Sequence, residues 1–392
     1  MRIGINGVGV GGPTLAYWLR RFGHEPVLFE KAPTLRTGGY VIDFWGLGYE
    51  LAERMGIAPT LLQRGYFMQR LRMVDARGRQ VAGMEVGPLR EQVQGRFISV
   101  ARADLAAALF QACAGIPVHF GVSIAGLQQD GQGVDATLSN GQKERFDLVV
   151  GADGLHSRVR ELIFGPEAQF ERSLGCHVAA FRLPGYPYRD ELTYVSHTVP
   201  KRQVARVALR DGETLILLIC RSDLIDGDPP RERQKAALRK AFGQMRWEVP
   251  EILARMDEVD DVYFDRVSQV HLKQWTSGRV ALLGDAAACA SFLAGEGTGL
   301  AMIEAYVLAG EIHRGNGDIA RSLCSYEARL RSFVRDKQKA ALRLRAFFVP
   351  QTAMALAVRN VAVNLMSIPY VTKYWVTSSL SDRLDLPKYE AA

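Results

Sequence analysis

Three glycines near the start of the chain constrain its fold more than any other feature. Gly7, Gly9 and Gly12 have the spacing GxGxxG and directly follow a short apolar run, residues 2–6. A helical run comes next, and then a second strand-like segment that ends in Glu30. This order predicts a βαβ unit of an α/β fold. The first glycine permits a tight turn, the second lets the backbone approach a pyrophosphate, and the third lets the helix pack closely on the strand. The sequence therefore predicts a dinucleotide site.

The acidic residue at the end of the second strand narrows the choice of dinucleotide. Glu30 lies where a carboxylate can accept hydrogen bonds from ribose hydroxyls. Its negative charge would repel a 2′-phosphate, so FAD or NAD is expected at this turn rather than NADP. The first thirty residues do not distinguish FAD from NAD.

Three later segments are expected to meet the glycine-rich turn. One apolar strand leads into Asp153 and Gly154, and another delivers Asp285 at its C-terminal end. Ligands of open α/β sheets lie beyond the carboxyl ends of the strands, so these acids are expected to converge on the turn. Between them, Arg102 starts a helix that is rich in alanine and leucine.

A second glycine-rich loop follows Asp285 and enters a helical run. Its residues are Gly295, Glu296, Gly297, Thr298, Gly299 and Leu300. The free backbone N–H groups and the positive end of such a helix suit a negatively charged ligand. An ordinary N-cap formed by Thr298 is the simpler alternative.

With these motifs the chain resembles the class A flavoprotein monooxygenases of the para-hydroxybenzoate hydroxylase type, and within them the branch of polyketide hydroxylases and tetracycline-inactivating monooxygenases. The resemblance runs in order along residues 1 to about 335. It implies a Rossmann-like FAD-binding domain, a second, sheet-based substrate domain and C-terminal helices. It also implies a set of cofactor-binding residues, with the Asp153–Gly154 pair serving both FAD and NAD(P)H: Gly7, Gly9, Gly12, Glu30, Lys31, Arg36, Arg102, Asp153, Gly154, Asp285, Gly295, Gly297, Thr298, Gly299 and Leu300.

The resemblance further implies an FAD-dependent, NAD(P)H-consuming enzyme. It would hydroxylate a hydrophobic aromatic or polyketide-like small molecule with O2, through a flavin C4a-hydroperoxide. NADPH or NADH would bind transiently, because the chain has no second GxGxxG in strand–helix context. Asp43, Phe44 and Phe292 are candidate substrate-side residues, and an ordinary sheet position is equally open for Asp43 and Phe44.

Acid–base and metal chemistry have little signal in the sequence. It contains no Ser/His/Asp arrangement, no HExxH and no nucleophile elbow, and no metal site is expected. His156 and His177 are interpreted as structural, and His197 is unassigned. No catalytic residue is named, since the flavin would carry the difficult chemistry.

Two other functions stay open. Relatives usually have His or Tyr at position 288 and often Pro at 290 and 292, where this chain has Ala288, Ala290 and Phe292. Ala290 and Phe292 motivate one alternative, a flavin-dependent reductase or a non-oxygenating flavin-binding protein of the same superfamily. The other alternative, an NAD-dependent dehydrogenase, would explain the first thirty residues but not Arg102, Asp153–Gly154 or the loop 295–299.

We predict three structural parts. The FAD-binding domain is expected to be discontinuous, and the substrate domain is expected to use alternating strand-like runs with one face toward a cavity. The predicted bounds are 1–72, 96–170 and 266–335 for the FAD-binding domain, 73–95 and 171–265 for the substrate domain, and 336–392 for a C-terminal helical segment. The C-terminal helices are expected to pack over the FAD-binding domain, with a substrate lid or a membrane-surface contact as the alternative.

Composition limits the partners and the compartment. The formal charge of +7 lies in residues 328–392, which hold eleven lysines and arginines against four acids, so a basic field for nucleic acid is not expected. A solvated helix face is the simpler reading of this basic tail, and docking to an anionic partner or membrane is the alternative. The five cysteines are scattered without CxxC spacing, which favours reduced thiols in a cytoplasmic protein. No signal peptide or integral membrane span is expected, and the oligomeric state is left open.

Overall fold

The computed structural model describes residues 1–35, 40–93, 95–187, 189–366 and 384–389. It has an α/β fold with two large sheets, two small sheets and a helical C-terminal part. The predicted fold class is confirmed.

The first large sheet has six strands, and all of its neighbouring pairs are parallel except the one at the edge formed by the last two strands in sequence. Its strands are β1 (Arg2–Asn6), β2 (Glu25–Glu30), β7 (Val118–Phe120), β11 (Leu148–Gly151), β17 (Thr276–Ser277) and β18 (Val280–Leu282). Their spatial order is β17-β18-β11-β1-β2-β7. The central strands β1, β11 and β18 are almost entirely buried, as expected for strands covered on both faces.

The second large sheet has seven strands and is antiparallel except for one parallel pair, β4 with β13. Its strands are β4 (Arg70–Val74), β5 (Gln80–Glu85), β12 (Glu171–Pro184), β13 (Thr193–Val199), β14 (Arg202–Ala208), β15 (Glu213–Arg221) and β16 (Tyr263–Val270). Their spatial order is β16-β12-β15-β14-β13-β4-β5, so β5 is an edge strand.

Two small sheets complete the strands. The three-stranded one consists of β8 (Ile124–Gln129), β9 (Val134–Leu138) and β10 (Lys143–Phe146), and the two-stranded one of β3 (Val41–Trp45) and β6 (Phe97–Ala101).

Helices cover both large sheets. They are α1 (Gly11–Arg21), α2 (Gly46–Arg54), α3 (Ala58–Arg64), α4 (Gly87–Gln92), α5 (Arg102–Ala112), α6 (Arg158–Phe164), α7 (Arg231–Phe242), α8 (Val249–Arg255), α9 (Asp285–Ala288), α10 (Gly297–Arg314), α11 (Ile319–Phe348) and α12 (Ala353–Leu365). Helices α7 and α8 pack with Phe181 and Ile216 on the outer face of the seven-stranded sheet. The inner face carries Val207 and Leu215, which pack with Tyr40. This inner face therefore lies toward the glycine-rich turn.

The C-terminal helices divide between the two large sheets. As predicted, α11 packs on α10 beside the six-stranded sheet. The expectation for the next helix was wrong, because α12 packs on β5 and β13 of the seven-stranded sheet. Its Val363 joins Met73, Ala82 and Phe347 in a small apolar cluster. The Asn364 side chain fixes the helix further: its Oδ1 accepts the Gly83 N–H at 3.1 Å, and its Nδ2 donates to Val81 O at 3.3 Å.

The domain boundaries stay a prediction. Residue 336 lies inside α11, because no proline or glycine interrupts residues 319–348, and residue 72 lies inside β4. Among the described helices, none alone is long and apolar enough to cross a membrane. The pair α11 and α12, bent by 108° at their junction, reaches that length and composition only when the two are taken together.

Candidate functional site

The glycine-rich turn is tightly packed at Gly7 and Gly12, whereas at Gly9 it is open. Gly7 has a φ of +114°, and a Cβ there would lie 2.3 Å from Ala152 O. A Cβ on Gly12 would lie 2.0 Å from Gly7 O, so neither position accepts a larger residue. A Cβ on Gly9 would meet only the guanidinium of Arg102, at 3.7 Å. The open side above Gly9 is where a pyrophosphate can approach the backbone.

Glu30 is held in place by the turn itself. Its Oε2 accepts the Val8 N–H at 2.9 Å and its Oε1 accepts the Ala32 N–H at 3.0 Å. An ionised carboxylate has about four acceptor positions, so Glu30 keeps positions for ribose hydroxyls. Lys31 follows as an exposed residue, and Arg36 lies outside the described residues.

The separate motifs meet at one cleft of about 950 Å³. It is bounded by the β1–α1 turn, the start of α5, the turn after β11, α9 and the start of α10. The predicted residues that line it are Gly9, Arg102, Gly154, Asp285, Gly295, Gly297, Thr298 and Phe292. The carboxyl ends of β1, β11 and β18 thus bring distant parts of the sequence together, as the position of ligands in open α/β sheets predicts.

Asp153 does not line the cleft, but its carboxylate holds the neighbouring backbone in place. Its carboxylate accepts hydrogen bonds from the Asn6 side chain at 2.9 Å and from the N–H groups of Arg158 and Val159 at 2.9 and 3.1 Å. The Ser157 hydroxyl donates to it as well. These contacts tie the turn after β11 to β1 and to the start of α6, and Gly154 is the member of the pair that faces the cleft.

Asp285 faces the interior of the cleft. Protein surrounds this residue, but its side chain is accessible to solvent because it faces the space inside the cleft. Burial raises the pKa of its carboxyl, while the Cys289 thiol and the Arg102 guanidinium lower it. The preceding Gly284 has a φ of 61°, which turns the chain sharply from β18 into α9.

The loop before α10 presents an uncapped helix start. No side chain caps this helix, and Thr298 is its second residue, so the simpler N-cap alternative does not hold. Gly295 has a φ of 67°, a left-handed conformation that glycine adopts without strain. The first N–H groups and the positive end of an eighteen-residue helix are therefore directed at the cleft.

A smaller cleft of about 340 Å³ adjoins this loop. Of the predicted residues, Asp43, Phe44, Gly299 and Leu300 line it. The Ser99 hydroxyl donates to the Asp43 carboxyl, whose pKa is raised by burial. Across the cleft, Lys337 and Glu296 form an ion pair at 2.8 Å. The two clefts share the loop 295–300 as a common wall.

An aromatic cluster lines the main cleft on the side of the seven-stranded sheet. The ring centroids of Tyr40 and Phe292 lie 4.6 Å apart, and those of Tyr40 and Tyr263 lie 5.6 Å apart. Burial raises the pKa of Tyr40 to about 12, so its phenol is neutral. Sequence reasoning found Phe292 but not the two tyrosines, because only strand pairing brings β16 to this point.

The three histidines considered from the sequence, His156, His177 and His197, lie outside the lining of the main cleft. His156 lies between Glu167 at 3.0 Å and Asp265 at 3.6 Å, and these acids raise its pKa to about 9. His177 is buried beside Asp228, and burial lowers its pKa. His197 is buried, with Nδ1 3.0 Å from Val74 O. Of the residues that line the cleft, none is a histidine.

The fold and the cleft define a dinucleotide-binding protein of the α/β class. Comparison with known proteins is more specific. The family model described as "FAD binding domain" matches residues 2–338. A flavin-dependent monooxygenase from an unidentified prokaryote is 33% identical over 392 residues, covering 100% of this chain and 99% of that protein. A flavin-dependent monooxygenase of Legionella longbeachae serogroup 1 (strain NSW150) is 33% identical over 401 residues, covering 100% and 99%.

Solved structures agree with this result. The crystal structure of the tetracycline destructase Tet(51) superimposes with a TM-score of 0.83 at 30% identity, covering 99% of this chain and 98% of that one. The chain belongs to the FAD-binding-domain family of flavin-dependent monooxygenases. It is an oxidoreductase flavoenzyme, and FAD is its cofactor.

The described residues fit FAD. The backbone above Gly9 is open, the start of α10 is uncapped, and Arg102 places a positive charge over the same cleft. These three features suit a pyrophosphate and an electron-rich ring system.

Proposed function

We propose that the enzyme uses NAD(P)H and O2 to hydroxylate a hydrophobic aromatic or polyketide-like small molecule. The observation that carries this proposal is the composition of the main cleft. Its floor is a dinucleotide turn, and the side toward the seven-stranded sheet is formed by Tyr40, Tyr263 and Phe292. Such a wall suits a flat apolar substrate held next to the cofactor, with water excluded.

We assign the cofactor contacts to the turn of Gly7, Gly9 and Gly12, to Glu30, Lys31, Arg36 and Arg102, and to Asp153, Gly154, Asp285 and the loop 295–300. In this assignment the three glycines and the uncapped start of α10 bind through backbone N–H groups, and Arg102 offsets negative charge. Glu30 accepts from ribose hydroxyls. Asp153 acts indirectly, since its carboxylate holds Asn6 and α6.

Phe292 would contact the substrate directly within the aromatic cluster. Asp43 and Phe44 are assigned to the substrate side through the smaller cleft, which shares the loop 295–300 with the main one. The nearby inner face of the seven-stranded sheet adds Val207 and Leu215, which favours an apolar ligand.

Bound FAD would supply the redox chemistry, accepting hydride from NAD(P)H and activating O2 for transfer of one oxygen atom. The chain's own residues bind and orient both molecules and exclude water. The hydroperoxide route stays a prediction of the family resemblance. A cytoplasmic location is part of the proposal, supported by five free cysteines.

Substrate-stimulated consumption of NADPH and NADH tests this proposal. The purified enzyme would be screened with polycyclic phenols, including tetracyclines because of the destructase neighbour, in ¹⁸O2. Product that carries one ¹⁸O atom is the expected result. Turnover that reduces the substrate without added oxygen would point to the reductase instead, and flavin reduction without any turnover would point to a non-oxygenating binding protein.

A further inference from the structure

Glu304 is a buried acid that the proposed function leaves without a role. It lies two turns into α10, and its side chain is fully buried. Its Oε2 accepts the N–H of Gly284, the residue that precedes Asp285. One hydrogen bond therefore connects the helix that begins at the loop 295–300 with the turn that carries Asp285. The Gly284–Asp285 turn and the first residues of α10 both line the cleft, whereas Glu304 lies behind its lining.

The surroundings of Glu304 oppose a negative charge. The titratable groups that face it are Asp285 from the turn and Tyr326 from α11, and no described lysine, arginine or histidine acts on it. Its Oε1 is buried without a hydrogen-bond partner. An ionised Glu304 carboxylate would be a buried anion with one hydrogen-bond donor, close to the Asp285 carboxyl, which is costly.

The hydrogen bond of Tyr326 supports the same conclusion. The Tyr326 hydroxyl, next to the Glu304 carboxyl, donates its proton to Leu282 O at 3.0 Å. Because that proton is engaged, the Tyr326 hydroxyl does not donate to Glu304, and the Gly284 N–H is the one donor to the Glu304 carboxyl among the described residues. In agreement, burial, together with the Asp285 carboxylate, raises the pKa of Glu304 to about 8, although the Gly284 N–H lowers it.

We propose that Glu304 is a positioning residue for FAD: its neutral carboxyl holds the Gly284 N–H, and with it the Asp285 turn, against α10, and loss of its proton weakens FAD binding. This inference rests on the cofactor contacts assigned under the proposed function. Ionisation adds a negative charge beside Asp285 and close to the anionic cofactor, so the protonated enzyme binds FAD more tightly.

FAD titrations of the apoprotein between pH 6.5 and about 9.5 test the role of Glu304. In the wild type, affinity is expected to fall by up to about tenfold for each pH unit above pH 8, since binding requires one proton. Glu304→Gln keeps an acceptor for Gly284 N–H but cannot ionise, so its affinity should stay level across this range. Glu304→Ala loses the acceptor and should bind FAD more weakly at every pH.

Glu311→Gln is the matched control. Glu311 lies two turns further along the same helix and is also buried, but it pairs with Arg329 at 2.7 Å and accepts from Tyr389. Its variant should show the pH dependence of the wild type. His156, whose pKa is raised to about 9, titrates in the same pH range. It is present in every variant, so it cannot produce a difference between them.

A second measurement needs no variant. Calorimetry of FAD binding at pH 9 in buffers of different ionisation enthalpy should show uptake of about one proton per FAD. No proton uptake, or an identical pH dependence in wild type and Glu304→Gln, overturns the role of Glu304. Neither result bears on hydroxylation, because no titration includes turnover, and a failure of hydroxylation would leave these binding results unchanged.

Discussion

The two walls of the main cleft are built by different means. The cofactor wall presents backbone: the turn at Gly7, Gly9 and Gly12, and the uncapped start of α10. The opposite wall presents side chains, chiefly Tyr40 and Tyr263 at the inner face of the seven-stranded sheet. A wall made of backbone tolerates almost no change of residue, whereas a wall made of side chains can change its ligand without changing the fold. Four substitutions test this difference.

The largest effect is expected at the base of the glycine-rich turn. In Gly12→Ala the new Cβ would lie 2.0 Å from Gly7 O, which cannot retreat because Gly7 N–H donates to Phe29 O at 2.7 Å. We expect a loss of about 3 kcal/mol in the free energy of unfolding, measured by denaturation of the apoprotein. Gly87→Ala, where a Cβ meets nothing within 4 Å, is the control. Equal stability of the two variants would contradict a backbone-built wall.

The next effect concerns charge on the same wall. Arg102→Met removes the guanidinium above Gly9, and FAD affinity should fall about 10- to 100-fold, as for the loss of a charge-assisted hydrogen bond. Flavin fluorescence measures it directly. Arg64→Met is the control, since Arg64 of α3 pairs at the surface, at 3.6 Å, with Asp104 of α5, the helix that Arg102 begins. Unchanged FAD binding in the Arg102 variant would remove this residue from the cofactor site.

Two adjacent residues of β16 test the side-chain wall. Tyr263 lines the cleft, while Phe264 points to the outer face and stacks on His177. Tyr263→Leu should lower kcat/KM for aromatic substrates by about 2- to 10-fold with FAD binding retained, as for the loss of one aromatic contact. Phe264→Leu should reduce stability by about 1 kcal/mol and leave kcat/KM unchanged. The reverse pattern would mean that the substrate does not reach this wall.

The smallest effect is expected for the stability contribution of His156, which pairs with the cleft residue Asp265. Because Asp265 and Glu167 raise the pKa of half-exposed His156 to about 9, its ion pairs add stability below pH 6.5 that is lost as the pH rises through 9. The melting temperature of the wild type should therefore fall more between these values than that of His156→Gln. Parallel curves would show that the ion pairs contribute nothing, as many exposed pairs do.

The sequence predicted the backbone wall better than the side-chain wall, for a physical reason. Glycine spacing reports a local turn, and local order also predicted the helical run after this turn and the strand that ends at Glu30. Strand pairing over long separations, such as β4 with β13, leaves no comparable local signal. Tyr263, which reaches the cleft through the pairing of β16 with β12, therefore could not be found.

Glu304 did leave a signal in the sequence. It is the one acid in an otherwise apolar run from Leu300 to Gly310. A helix segment that is apolar on all sides is buried, so a single carboxyl within it is buried as well and requires a hydrogen-bond partner. Such a residue is a candidate for a structural or functional role. Its partner, the Gly284 N–H, is visible only in the folded chain.

The side chain of Asn364 has a consequence for the behaviour of the protein at high concentration. By bonding to Gly83 N–H and Val81 O, it occupies backbone groups of β5, the edge of the seven-stranded sheet. Free edges of this kind recruit strands from other molecules and start aggregates. Helix α12 thus occupies a sheet edge that would otherwise be free to pair with a second molecule.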